Sequence, residues 1–126
     1  MKSVIIPSAL FILIILTIIT GGVYTKNRAE TLENYLYGIA ESVRAADWES
    51  CERGCAEASK MWEESKKALA TIHRHSDLQQ IETALALIES YIGSRDGTAA
   101  AAVTAVARRY VRSLRETDRI VMENIV

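Results

Sequence analysis

No charged residue interrupts residues 3–25, and from there a polar, helix-periodic pattern runs to the end of the sequence. The apolar heart, residues 4–23, reads VIIPSALFILIILTIITGGV. Twenty residues of α-helix rise about 30 Å, the thickness of a bilayer's hydrocarbon core. Pro7 falls in the first turns of that helix, where a missing amide proton costs least. Tyr24 follows at a place that suits the headgroup layer. A cleaved signal peptide is the nearest rival reading. Its apolar core is usually about 7–15 residues, shorter than this run, and residues 20–25 lack a clean small-x-small cleavage site.

Past the apolar run, Leu32, Tyr35 or Leu36, Ile39, Val43 and Ala46 recur at spacings of three and four. They predict a helix that continues straight out of the membrane. A second stripe joins Trp48, Cys51, Cys55, Ala58, Trp62, Ser65, Leu69 and Ile72, again in alternating steps of three and four. Ser76 and Gln79 have the spacing of a capping box and predict the start of a third helix. It carries Leu78, Ile81, Leu85, Ile88 and Ile92 and stops at Gly93. The turn over residues 93–97 leads to a last helix with Asp96 as its cap and Ala99, Val103, Val106, Tyr110, Leu114, Thr117 and Val121 as its stripe. No segment alternates with a period of two. The pattern therefore predicts an all-α chain: a transmembrane anchor over residues 1–25, then an antiparallel up-and-down bundle of three or four helices over residues 26–126.

Charge narrows the partners. All but one of the 15 Lys and Arg residues and all 16 Asp and Glu residues follow the apolar run, which leaves the polar part slightly acidic. Nucleic-acid domains usually carry a basic excess, so none is expected as a partner. Lys2 on one flank nearly balances Lys26 and Arg28 on the other, and a very short N-terminal tail leans toward an extracytoplasmic bundle.

Few residues invite chemistry. Cys51 and Cys55 stand one turn apart on the apolar stripe, where a free cysteine packs as a small hydrophobe. A disulfide between them is awkward on a helix. As metal ligands they would need His73 or His75, about 27 Å away along a continuous helix. The two histidines bracket Arg74 at the expected end of the second helix, where the dipole favours them. Trp48 and Trp62 read as core anchors between helices. Arg108, Arg112, Arg115 and Arg119 share one face of the last helix. Their mutual repulsion calls for carboxylates such as Glu82 and Glu89, or for an anionic surface. No phosphate-binding glycine loop, metal motif or nucleophile signature is present, so no catalytic residue, cofactor or metal is expected.

Several short motifs together resemble a bacterial family of small membrane-anchored proteins known as a domain of unknown function. They are Asp47-Trp48, Trp62 with Lys66, His75-Ser76-Asp77-Leu78, Ile81-Glu82, Tyr91-Ile92, Asp96, and Glu123-Asn124-Ile125-Val126. The likeness covers nearly the whole length; the two cysteines and the alanine-rich residues 99–102 depart from it. It implies a single-pass protein of Gram-positive, often spore-forming bacteria with an external helical domain, and it implies no activity. The expected function is thus a non-enzymatic interaction or accessory subunit at the cell membrane, held by the bilayer and facing a membrane-protein partner or a second copy. Two alternatives remain: a ligand- or metal-binding domain using Cys51, Cys55 and a histidine, and polyanion binding through the arginine face.

Overall fold

The computed structural model describes the backbone of residues 2–125, and the side chains of these except 2–4, 118, 119, 121, 122 and 125. Four helices follow one another: α1 (Lys2–Arg44), α2 (Trp48–Leu69), α3 (His75–Gly93) and α4 (Gly97–Ile125). The described residues contain no strand. Helix α1 is unbroken across its 43 residues, about 65 Å at the usual rise, so the apolar segment and the first bundle helix are one rigid rod. The second half of α1 packs against α2 and α4, and α3 packs against the same two, with no close backbone approach across either diagonal among the described residues. This is a four-helix, up-and-down bundle.

Three of the four stripes lie where the periodicity puts them. Leu32, Leu36, Ile39 and Val43 of α1 are buried, as are Cys51, Cys55, Ala58, Trp62 and Leu69 of α2 and all five large apolar residues of the α3 stripe. The stripe ends behave differently. Ala46 and Ile72 lie in turns and are exposed, because the helices stop before reaching them. Helix α4 departs further. Its buried face is Ala100, Thr104, Ala107, Val111 and Leu114, one position on from the stripe expected except at Leu114. Ala99, Val103 and Tyr110 are half-buried, Val106 and Thr117 are exposed, and the side chain of Val121 lies outside the described residues. The small residues win the inner face because they let the α4 backbone approach α1 closely, and dense packing outweighs side-chain hydropathy.

The two turns at the far end of the bundle share one construction. Ala46 (φ 55°) and Arg95 (φ 60°) adopt the left-handed conformation just past α1 and α3. The next N–H in each turn then reaches back five residues, from Asp47 to Ser42 O (2.9 Å) and from Asp96 to Tyr91 O (3.0 Å). Each aspartate also caps the following helix. Asp47 accepts from the Ser50 N–H at 3.2 Å and the Ser50 hydroxyl at 2.6 Å, and Asp96 accepts from the Ala99 N–H at 3.1 Å. One residue thus closes one helix and opens the next, which makes these reversals short. The Ser50 bonds hold the Asp47 carboxyl below the usual carboxylate range.

The start of α3 differs from the capping box expected at Ser76 and Gln79. The N-cap is Arg74, in extended conformation and without a side-chain cap, and the helix begins at His75. The backbone N–H groups of Asp77 and Leu78 bond to Arg74 O instead, and the Asp77 carboxylate supplies the negative charge that the first turn favours.

Candidate interaction surfaces

The arginine face of α4 is a seam, and α1 occupies half of it. The Arg108 guanidinium lies 4.5 Å above the Tyr37 ring. Arg115 Nη1 donates to Glu33 Oε2 at 2.9 Å, an ion pair whose glutamate side chain is only 11% exposed. Arg112 is exposed, and the side chain of Arg119 lies outside the described residues. The compensating carboxylate is therefore Glu33, and not Glu82 or Glu89 of α3. Glu82 instead holds Lys66 Nζ at 3.0 Å across the α2–α3 interface. Its bond to Glu82 and a second one to Glu63 raise the lysine pKa. Glu33 has no helical periodicity to betray its role, since it sits beside the apolar stripe rather than on it. The seam also leaves polar atoms unpaired: Glu33 Oε1 and Arg108 Nε are buried with no hydrogen-bond partner among the described residues.

Cys51 and Cys55 are buried free thiols. Desolvation pushes both upward, Cys55 to about 11, with Glu89 adding to the effect. Helix α2 is continuous to Leu69, so the histidines stay far along the rod from both sulfurs. Among the described residues no group of three His, Cys, Asp or Glu side chains is placed to hold a metal. At pH 8 a thiol near 11 holds about a hundredfold less thiolate than one at its ordinary value of 9.0. Alkylation of Cys55 with iodoacetamide should accordingly be slower by at least that factor in the folded chain than in denaturant, as read by mass spectrometry. The same raised pKa means that folding favours the protonated thiol. Its contribution is whole below pH 9 and fades as pH climbs toward 11.

The histidines divide. His75 opens α3, rather than closing α2 as the spacing suggested. His73 lies in the α2–α3 turn with Nε2 3.0 Å from Thr25 Oγ1. That hydroxyl donates to Gly21 O at 3.0 Å, so its oxygen accepts from His73 Nε2–H. The turn is thereby fastened to α1 at the edge of the apolar segment, where Thr25 is fully buried.

The tryptophans also have separate places. Trp62 is 3% exposed in the core, and its indole N–H has no hydrogen-bond partner among the described residues. Trp48 is half-buried at the far end. Arg95 lies 5.5 Å over its ring and also pairs with Glu52 at 3.3 Å, which clamps the two adjacent turns together.

Of the grooves on the surface of the described residues, a smaller one of about 360 Å³ passes Glu52, Cys55 and Glu89, and two are larger. One, between α3 and α4, is about 590 Å³ and runs past Gln80, Thr83, Leu87, Val106 and Tyr110. The other, about 440 Å³, lies at the near end of the bundle between Thr17, Gly21 and Gly22 of α1, Ile72 and Arg74 of the turn, and Thr117 of α4.

No curated protein and no solved structure matches the chain. A family model does, over residues 20–125, beginning beside the glycine pair where the bundle first grips α1. The four helices and this match agree, and the chain belongs to the family described as Domain of unknown function (DUF4363).

Proposed function

We propose that this protein is a single-pass, membrane-anchored bundle that serves as a non-enzymatic interaction or accessory subunit, with its helical body outside the cytoplasm. The observation that carries the reading is the first part of α1. By length and composition it is the one helix among the described residues able to cross a membrane. Its large apolar side chains point outward on every side, from Ile5 and Phe11 at 65% exposed to Ile14 at 53%. A core helix of a water-soluble protein buries such residues. Leaving eight of them in water would cost on the order of 10–20 kcal/mol, which a lipid phase removes. Retention of the segment is supported by Gly22 and Thr25, which are packed inside the bundle, so cleavage in this stretch would strip contacts from the fold. The non-enzymatic reading is supported by the charged clusters, whose members Arg115, Lys66 and Glu33 are engaged in helix–helix contacts.

Two measurements test this. Cell fractionation should find the chain in the membrane fraction with residues 1–25 intact; a mature chain in the aqueous fraction that begins past Tyr24 sinks the anchor. A photo-crosslinking amino acid at exposed Leu87 or Arg112, in native membranes, should yield one recurrent adduct of defined mass, a membrane protein or a second copy. Absence of any adduct, with a purified chain that is monomeric in detergent, would remove the interaction role.

A further inference from the structure

The bundle does not begin where the bilayer should end. Counted from Lys2, the last charge before the apolar run, 20 helical residues are needed to cross about 30 Å of hydrocarbon, which carries the span to Gly22. Yet the bundle already lies against one side of α1 at that level. The Ile72 side chain sits against Gly21, where an added Cβ would lie 3.1 Å from Ile72 Cδ1. Thr117 of α4 shares a groove with Thr17 and Ile18, about one turn deeper still. Only residues up to about 16 are left clear of the bundle, and these span roughly 21 Å.

From this overlap we infer that the near end of the bundle is itself a lipid-binding surface. The α2–α3 turn and the C-terminal turns of α4 form a collar seated in the phospholipid headgroup layer around α1. The inference rests on the membrane-anchored reading above. Ile72, Ile120 and Arg74 fit that layer, while Glu116 and Glu123 of the same α4 turns are exposed beside them. Ile72 is 44% exposed and Ile120 is 55% exposed; beside the anchor, each would meet the upper acyl chains rather than water. Arg74 is exposed next to Ile72 and lines the same groove, where its guanidinium can take a lipid phosphate in a charge-assisted bond. Asp77 also lines this groove, so the polar wall presents both signs, which suits a zwitterionic headgroup. The far end, with Asp47, Glu52, Arg95 and Asp96, carries no comparable exposed apolar residue. The collar fixes how the bundle stands: α1 cannot tilt freely beneath it, because α4 and the turn would have to move through the headgroups with it.

Site-directed spin labelling of the full chain in phosphatidylethanolamine/phosphatidylglycerol vesicles tests this. Cys51 and Cys55 are buried, so a nitroxide goes selectively to an introduced thiol. Four variants are compared: Ile72→Cys and Ile120→Cys in the collar, Leu10→Cys in the anchor, and Ser94→Cys at the far end. Collisions with a water-soluble nickel chelate should fall at least fivefold at positions 72 and 120 relative to 94, and oxygen collisions should rise. If position 10 reports hydrocarbon while 72 and 120 match 94, the collar is refuted and the anchor stands. If position 10 also reports water, the anchor itself has failed and the collar with it. Either collar position is sufficient, so one variant that does not fold leaves the test intact.

Discussion

Replacing Trp62 by alanine should destabilise the bundle by about 3–5 kcal/mol, the largest effect expected of any single core substitution. The indole is 3% exposed and lines one small interior void together with Leu32, Met61, Ile81 and Val111, residues drawn from all four helices. Truncation leaves a cavity that no flexible neighbour can fill, because the opposing residues sit on four separate rigid rods. A domain of about 100 residues has only about 5–15 kcal/mol of stability in total, so the alanine variant should melt far below the parent. Trp62→Phe should cost much less. It keeps most of the ring and removes an indole N–H buried without a hydrogen bond, and that gain offsets part of the lost contact area. Thermal circular dichroism of the full chain in one detergent reads both. If the alanine variant melted within a few degrees of the parent, Trp62 would not be the keystone of the core.

Arg115→Ala is expected to cost about 1–3 kcal/mol, more than any exposed ion pair in the molecule. The exposed pairs, such as Arg44 with Glu41, contribute little because water screens them and long side chains lose freedom. Glu33 is different: its side chain is 11% exposed and Arg115 is its one ion-pair partner among the described residues. Removing the arginine strands a carboxylate whose other oxygen is already unsatisfied. The cost falls below that of fully buried pairs because Arg115 itself is 30% exposed. The double variant Glu33→Leu with Arg115→Met should recover most of the loss, since apolar side chains of similar volume suit the site. Strict additivity in the double-mutant cycle, within about 0.3 kcal/mol, would show that the two groups do not interact.

The Arg115 and Glu33 variants probe a contact that α1 makes with α4, and it is there that the sequence was least legible. Strong aliphatic stripes decide faces well. Leu78, Ile81, Leu85, Ile88 and Ile92 have nowhere to go but inward, and they are buried. Asp96 was recognisable as a cap because aspartate before a helical run competes well for orphan N–H groups. On α4 the inward face is Ala100, Thr104 and Ala107, residues with little hydropathy to mark them. Their selection depends on how closely a second backbone approaches, which no single helix encodes. The capping box at Ser76 failed for a related reason. Where the helix begins was settled by the turn that ties His73 to Thr25, a contact between residues 48 apart in the chain.

From its own residues the chain dictated an apolar rod long enough for a bilayer, three amphipathic faces and the turn over residues 93–97, because each of these follows from local periodicity and capping. The arginine face is the opposite case. Four like charges on one edge of a helix read equally as a solvated ridge, a polyanion site or a packed seam. The fold resolved two of them by laying Tyr37 and Glu33 against Arg108 and Arg115. The overlap between bundle and apolar rod, with Thr117 beside Thr17 and Ile72 against Gly21, likewise arises only once helices distant in sequence lie side by side. Local patterns set which side of each helix seeks cover, while the pairing of distant helices sets what covers it and at what depth.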